Sequence, residues 1–322
     1  MPTAQRAPTA TLLRRGGERL LFDCAEGTQR QLLRSNVGLV ELREVFLTHY
    51  HADHYLGLPG MLKTFALRGR ETPMTIYGPP GLGELFSALR RIFGRLTYPY
   101  ELVELEAGAV LERGEYRLVT FPVNHGVSAV GYALIEAARP GRFDVVGADS
   151  LGVPEGPERG ALQRGESVTL SDGRVIAPES VLGDPRPGRK VVISADTAYS
   201  QSVVEAARGA DVLVHEATFS EDEQERAAET LHSTAAQAAE VARVAGVGLL
   251  ALTHLSNRYF GSEIEREAQE IFAETVVPRD LDIIVVPFPE RGSPELVKGG
   301  ATHKHAPLKS EAVAATLEDV AR

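Results

Sequence analysis

Three histidines and one aspartate occur within six residues of the sequence, in the order His49, His51, Asp53 and His54. Imidazole nitrogens and carboxylate oxygens are the ligand atoms that zinc and similar divalent ions prefer in proteins. Packing does not account for the cluster, because burying four such side chains without partners carries a heavy desolvation cost. The alternative is a polar loop that is rich in histidine by chance. We therefore predict a metal site at this segment.

Three further residues of the same chemistry follow apolar segments that predict strands. His125 follows YRLVTFPVN, Asp196 follows KVVISA, and His254 follows GLLALT. In an α/β sheet, residues at the carboxyl ends of strands converge at one edge. Each residue alone is explained more simply as a hydrogen-bonded loop residue. Together with the first cluster they supply the donors of a two-metal site with one bridging carboxylate, and their spacing alone permits zinc, manganese or iron.

Apolar strand-like segments alternate with segments of helical spacing, which predicts an α/β fold with helices covering its sheets. Strands are predicted at residues 19–24, 43–49, 74–80, 116–123, 130–136, 190–196, 211–218, 248–255 and 281–288. Helices are predicted at residues 27–36, 56–69, 81–94, 200–209, 234–246 and 262–276. Residues 138–189 interrupt this alternation of strands and helices and contain many glycines and prolines. Within this segment, only residues 168–176 predict regular structure, in the form of a hairpin.

The composition narrows the class of protein. The chain has 322 residues, a formal net charge of -10 and a single cysteine, Cys24. This charge excludes a globally basic nucleic-acid-binding protein, although a local basic face remains compatible with it. One cysteine cannot form an internal disulfide, which favours a reducing compartment. No apolar run approaches the roughly 18 residues of a membrane span, and the N-terminus lacks the apolar core of a signal peptide, so we expect a cytoplasmic protein without membrane contact.

Several motifs are more specific than the metal-ligand pattern. HxHxDH followed by a separate His, a separate Asp and a final His resembles the metal-binding pattern of the metallo-β-lactamase fold. Within that fold, LLFDCAEGTQRQL (20–32), residues 151–190 and the motifs SADT, HEAT, LHSTA and THLSNRY resemble the short form of the ribonuclease Z family. Members of this family are endoribonucleases that process the 3′ end of tRNA. The resemblance covers roughly residues 1–290.

The resemblance implies a four-layer αββα sandwich of the metallo-β-lactamase type with an inserted flexible arm. We expect the first half of the core at residues 1–137, the arm at residues 138–180, the second half of the core at residues 181–296 and a flexible tail at residues 297–322. It also implies a homodimer.

The resemblance assigns the candidate ligands to two zinc ions per chain. It implies that one ion is held by His49, His51 and His125 and the other by Asp53, His54 and His254, with Asp196 bridging them. It further implies that a metal-bridging hydroxide attacks the phosphodiester 3′ of the discriminator nucleotide and so removes the 3′ trailer of a precursor tRNA.

Three residues are expected to take part in catalysis. Asp53 is expected to orient the hydroxide as well as bind metal. His232 matches the family's histidine that is not a ligand and is expected to donate a hydrogen bond or a proton near the scissile phosphate, with Glu216 fixing its tautomer. The alternative for His232 is a residue at a helix N-terminus that is capped by Ser233 or Thr234.

Asp23 and Glu26 lie in a turn after a predicted strand. Turn and helix-terminus chemistry explains them as well as support of metal-bound imidazoles does. Ser256–Tyr259, after the last candidate ligand, fit either contact with RNA backbone or a solvated loop. The pair His303 and His305 is interpreted as part of a solvated tail.

The family's arm grips the elbow of tRNA. Residues 139–190 carry eight basic and eight acidic side chains here, so phosphate contacts are assigned to local groups such as Arg159 and Arg164. Ala25, Ala52 and Ala195 stand where the family commonly has glycine, and alanine is expected to be tolerated where φ is negative.

Two other classes of protein share the ligands. A phosphodiesterase of the same fold that acts on cyclic nucleotides or small phosphodiesters should lack the arm. A metal-retaining scaffold without turnover should have lost Asp53 or a ligand, and neither is lost. A β-lactam hydrolase has no support beyond the shared ligands.

Overall fold

Alternating apolar residues build two mixed β-sheets that face each other, and the computed structural model describes Thr3 and residues 6–299. The first sheet has five strands in sequence order: β1 (Thr11–Arg15), β2 (Glu18–Phe22), β3 (Glu44–Phe46), β4 (Met74–Gly78) and β5 (Tyr100–Glu104). The helices between them are α1 (Thr28–Arg34), α2 (Ala52–Tyr55), α3 (Gly57–Leu67) and α4 (Leu82–Phe93). Strands β2 to β5 are parallel, so their carboxyl ends lie at one edge of the sheet.

The second sheet begins with an antiparallel meander and ends with parallel strands. Its first strands are β6 (Val110–Glu112), β7 (Tyr116–Pro122) and β8 (Val130–Glu136). The arm follows, with α5 (Val145–Leu151), α6 (Pro157–Gln163), β9 (Val168–Thr169) and β10 (Val175–Ile176). The sheet is completed by β11 (Lys190–Ile193), β12 (Val212–Glu216), β13 (Leu249–Thr253) and β14 (Thr275–Val276), in the order β14-β13-β12-β11-β8-β7-β6. Its helices are α7 (Gln201–Ala207), α8 (Gln224–Thr230), α9 (Ala235–Ala245) and α10 (Gly261–Gln269).

Three apolar clusters separate four layers. Between the two sheets, Phe46 stacks on Phe22 with ring centroids 5.0 Å apart and meets the ring edge of Tyr132 across the interface. A second cluster packs α1, α3 and α4 against the outer face of the first sheet, and a third packs α7, α9 and α10 against the outer face of the second sheet. The expected αββα sandwich is therefore confirmed. Among the described residues, no helix is both long and apolar enough to cross a membrane.

The arm carries more regular structure than its glycine and proline content suggests. Two helices and a hairpin surround a small core of their own, with Ala148, Val153, Leu162 and Val181 nearly or fully buried. The hairpin predicted at residues 168–176 is confirmed: β9 pairs with β10, and Asp172 and Gly173 lie between them.

Phe288 and Glu290, which come after β14 in the chain, hold the base of the arm in place. Both oxygens of Glu290 accept hydrogen bonds from Arg139 at 2.9 Å, and Oε1 also accepts one from Arg186 at 2.9 Å. The guanidinium groups of Arg139 and Arg189 lie 3.5 and 4.4 Å from the ring centroid of Phe288. The segments that enter and leave the arm are therefore held together by contacts with the same two residues.

Some elements differ from the sequence prediction. Strands β1, β5, β6 and β14 and helix α8 were not predicted. The predicted helix 262–276 ends at Gln269, and its last residues form β14. The predicted strand 281–288 shortens to β15 (Ile283–Val285), which pairs with β16 (Glu295–Val297) in a separate two-stranded sheet.

Candidate metal centre

The ends of strands from both sheets bring the seven candidate ligands to one edge of the sandwich. His49 follows β3, His125 follows β7, Asp196 follows β11 and His254 follows β13. His51 precedes α2, which then presents Asp53 and His54. The parallel strands β11, β12 and β13 end at this edge together, which is why residues far apart in the sequence meet there.

The first group of side chains is His49, His51, His125 and Asp196, whose ligand atoms all lie within 4.8 Å of one another. Nδ1 of His51 is 3.1 Å from Nε2 of His49 and 3.2 Å from Nε2 of His125. His49 is fully buried, whereas His51 is exposed, so the group opens toward solvent on the His51 side.

The second group is Asp53, His54 and His254. Nε2 of His254 lies 3.3 Å from Oδ2 of Asp53. Oδ2 of Asp196 lies 3.3 Å from Nε2 of both His54 and His254, and 3.8 Å from Nε2 of His49. A single carboxylate oxygen of Asp196 therefore faces both groups.

The charge balance of this centre matches a bound cation. Nε2 of His54 is buried without a hydrogen-bond partner, while its Nδ1 lies 2.8 Å from Oδ2 of Asp23. Burial lowers the pKa of His54, but the carboxylates of Asp196 and Asp23 raise it well above its ordinary value. Burial and the neighbouring His54 lower the pKa of His49 to about 2, which keeps its imidazole neutral and able to bind metal. The residues thus fit a divalent ion, and the cluster is a metal-binding site.

Asp23 and Thr48 contact the Nδ1 atoms of two candidate ligands, His54 and His49 respectively. The carboxylate of Asp23 accepts hydrogen bonds from the backbone N–H of Thr48 at 2.8 Å and from its hydroxyl at 2.9 Å. The same hydroxyl lies 3.0 Å from Nδ1 of His49. Asp23 therefore fits the interpretation in which the turn supports metal-binding imidazoles. Glu26, in contrast, is exposed to solvent. Thr48 was missed, although its place beside a predicted ligand at a strand end was the available signal.

His232 and Glu216 form a pair beside the two groups. Nδ1 of His232 lies 2.7 Å from Oε1 of Glu216, which also accepts the backbone N–H of Thr197 at 2.7 Å. Burial lowers the pKa of His232, but the hydrogen bond and the charge of Glu216 raise it above its ordinary value. The cap of α9 is Thr234, whose hydroxyl accepts the N–H of Gln237 at 3.1 Å, so His232 lies before the cap.

Comparison with known proteins places this geometry in a family. Residues 4–135 match the model of the metallo-beta-lactamase superfamily, and residues 179–255 match that of the beta-lactamase superfamily domain. Human tRNase Z, short form, has a similar structure, with a TM-score of 0.63 and 25% identity over 89% of this chain and 95% of that chain. Ribonuclease Z of Natronomonas pharaonis is 46% identical over 90% of this chain and 96% of its own length, and that of Myxococcus xanthus is 51% identical over 80% and 84%. The chain belongs to the ribonuclease Z family. The arm of this ribonuclease Z family member lies mostly between the two matched ranges.

The structure also places the remaining sequence candidates of this ribonuclease Z family member. The guanidinium of Arg159 bonds to the carbonyl of Val153 at 2.9 Å and to Asp149, and its side chain is 13% exposed. Arg164 is 63% exposed and pairs with Glu166. His303 and His305 lie outside the described residues.

The loop after His254 is held by an acidic residue. Arg258 bonds to Glu223 at 3.0 Å, and the hydroxyl of Tyr259 bonds to the same carboxylate.

One of the three alanines that stand where the family commonly has glycine lacks the negative φ at which alanine is expected to be tolerated. Ala195 has a φ of 65°, in the left-handed region, whereas Ala25 and Ala52 are not among the described residues with positive φ. The left-handed conformation costs alanine about 1 kcal/mol or more relative to the right-handed one. The strained residue immediately precedes Asp196, so backbone strain lies directly beside the shared carboxylate.

Proposed function

We propose that the protein is a metal-dependent endoribonuclease that removes the 3′ trailer from precursor tRNAs by cutting the phosphodiester 3′ of the discriminator nucleotide. The observation that carries the proposal is the Glu216–His232 pair beside a seven-residue metal centre, in a chain with ribonuclease Z relatives over most of its length. A chain built only to retain metal has no need of a buried carboxylate that orients a non-ligand histidine.

Two zinc ions are the proposed cofactor. His49, His51 and His125 would hold one ion, Asp53, His54 and His254 the other, and Asp196 would face both. Bound in this way, the ions supply positive charge that offsets the phosphodiester and a nucleophilic water of lowered pKa.

Asp53 and His232 are the residues that would handle protons. The side chain of Asp53 is 37% exposed, so its carboxylate can accept a hydrogen bond from water that enters the centre and so orient it. His232 gives its Nδ1–H to Glu216, which leaves Nε2 as the atom that exchanges a proton with the substrate. A protonated Nε2 would donate to the scissile phosphate or to the departing 3′ oxygen.

The arm, residues 138–180, is proposed to bind tRNA away from the cut. The exposed guanidinium of Arg164 is the arm's proposed contact with phosphate, and Arg174 is 54% exposed on the hairpin. The side chain of Arg159 is occupied within the arm, so its proposed contribution is to hold the surface that carries Arg164. The homodimer and the cytoplasmic location belong to the same proposal; the homodimer rests on the family resemblance, and the location rests on the reducing compartment that the single cysteine favours.

Cleavage of a precursor tRNA with a short 3′ trailer, with the cut mapped at nucleotide resolution, tests the proposal. We expect a single cut after the discriminator nucleotide, dependent on added zinc, and about two ions per chain by metal analysis. Absence of cleavage, together with turnover of a cyclic nucleotide, would overturn the proposal in favour of a small-substrate phosphodiesterase.

A further inference from the structure

The hydroxyl of Thr218 lies between a candidate metal ligand and the Glu216–His232 pair. Oγ1 of Thr218 is 2.6 Å from Oε2 of Glu216 and 2.9 Å from Nδ1 of His254. Its other neighbours are farther away, at 3.1 Å for the carbonyl of His254 and 3.3 Å for Nδ1 of His232. One side chain thus contacts both functional parts of the site.

The hydrogen-bonding capacity of threonine determines the direction of these bonds. A hydroxyl has one proton and two lone pairs, and an ionised carboxylate only accepts. The proton of Thr218 therefore goes to Glu216, and its lone pair accepts Nδ1–H from His254. Nε2 of His254 is then unprotonated, and this is the atom that lies 3.3 Å from both Asp53 and Asp196.

The backbone at His254 shows why this contact is needed. His254 has a φ of 55°, in the left-handed region that non-glycine residues seldom adopt. The carbonyl of Thr218 accepts the N–H of Ser256 at 3.2 Å, so Thr218 is joined to this segment by its backbone as well as by its hydroxyl. A strained segment keeps its position only when its surroundings fix it.

The same arrangement occurs on the other side of the centre. The hydroxyl of Thr48 contacts the carboxylate of Asp23 and Nδ1 of His49, and that carboxylate also binds His54. Each sheet therefore provides a threonine, a carboxylate and two imidazoles in the same pattern. On the first sheet both imidazoles are candidate ligands, whereas on the second sheet one of them is His232.

We propose that Thr218 is a positioning residue that sets the tautomer of His254 for the metal and, through the same proton, holds the Glu216 carboxylate in place for His232. The metal half of this proposal stands without the proposed function, and the catalytic half rests on it. Thr218→Val removes the hydroxyl while keeping the volume, and Thr218→Ser keeps the hydroxyl. Thr275→Val is the matched control, since Thr275 is buried at the far edge strand and donates to the carbonyl of Phe272.

The test measures metal affinity as well as activity. Metal-free protein is titrated with zinc against a competing chelator, and precursor cleavage is measured with kcat and KM resolved. We expect Thr218→Val to weaken one of the two zinc affinities by about 10- to 100-fold, as is usual when a ligand histidine loses its outer partner. Its kcat should fall with KM unchanged, and Thr218→Ser and Thr275→Val should stay within about threefold of wild type for both properties, within the scatter of such substitutions.

Two results would overturn the proposal. One is wild-type zinc affinity in Thr218→Val, and the other is equal loss in Thr218→Ser and Thr218→Val. Thr218→Ala replaces Thr218→Val if the valine variant does not fold. If zinc affinity falls as expected while the wild-type protein does not cut precursor tRNA, the role of Thr218 toward the metal is upheld and the proposed function fails.

Discussion

Oε1 of Glu216 lies 2.7 Å from Nδ1 of His232 and orients this histidine, whose ligand atom also lies within 4.8 Å of those of Asp196 and His254. Glu216→Gln keeps an acceptor oxygen but removes the charge. We expect kcat for precursor cleavage to fall about 10- to 100-fold with KM nearly unchanged, because outer partners of working imidazoles contribute on this scale. The control is Glu240→Gln, an exposed carboxylate paired with Arg243 on α9. Equal kcat values in the two variants would contradict the assigned role.

Asp53 is the most exposed acid of the centre, with its carboxylate 3.3 Å from Nε2 of His254. Asp53→Ala should abolish cleavage, by about a thousandfold or more, because several kcal/mol of charge stabilisation and water orientation are lost. Binding of precursor tRNA in a gel-shift assay should remain close to wild type. Turnover that survives the substitution would remove Asp53 from the mechanism.

The arm can be removed at its base without disturbing the sheet, since Ile135 of β8 and Lys190 of β11 are direct antiparallel partners. A short turn in place of residues 138–188 should weaken precursor processing strongly and leave hydrolysis of bis(p-nitrophenyl) phosphate near wild type. Deletion of residues 150–166 alone is less informative, because it removes Val153 and Leu162 from the core of the arm. Equal losses on both substrates would mean that the arm does not bind tRNA.

Glu290 holds both chain segments at the base of the arm through Arg139 and Arg186. Glu290→Ala should raise KM for precursor tRNA about three- to tenfold, because its ion pairs with Arg139 and Arg186 are lost and the arm loses its fixed direction. The kcat value and the hydrolysis of the small substrate serve as internal controls. A fall in kcat without a change in KM would instead indicate a disturbance that reaches the metal centre.

Glu136 provides a test of stability against pH away from the centre. Burial raises its pKa, but hydrogen bonds and charge from Arg189, with a further hydrogen bond from Arg15, outweigh this and lower the pKa from 4.5 to about 2. A folded pKa below the unfolded one stabilises the protein above about pH 5, and the stabilisation is lost as the pH falls toward 2. In urea unfolding of metal-free protein, Glu136→Gln should be less stable than wild type by about 1 to 3 kcal/mol at pH 7, because solvent screens part of the ion pairs, with the difference narrowing below pH 5. A difference that does not change with pH would exclude the ionised carboxylate as its source.

Buried elements were predictable, and exposed or strained ones were not. Strands such as β12 and β13 carry continuous apolar runs because both of their faces are covered. Strands β1, β5 and β6 have sequences TLLRR, YELVE and VLE, whose charges hide the strand pattern, and all three lie at or next to sheet edges. In the arm, glycine and proline hid two short helices that depend on packing against each other rather than on helix propensity.

The metal-binding cluster was predictable because burying several imidazoles and carboxylates together is costly unless they have binding partners. The roles of Thr48 and Thr218 were not, because threonine is a normal strand residue and its hydroxyl gains a function only through neighbours brought close by folding. The φ of Ala195 was also beyond reach, since the sequence does not show which residue of the turn after β11 adopts the left-handed conformation.

The arm lies within the single connection that runs from the end of β8 to the start of β11, and these two strands are antiparallel neighbours. In topological terms it is therefore an enlarged hairpin loop, a connection that two to five residues usually make. A lineage can lengthen, shorten or exchange it without altering the order or register of any strand and without moving the residues of the centre. With the arm as the proposed tRNA-binding element, substrate recognition can diverge in length and sequence while the hydrolytic chemistry stays constant.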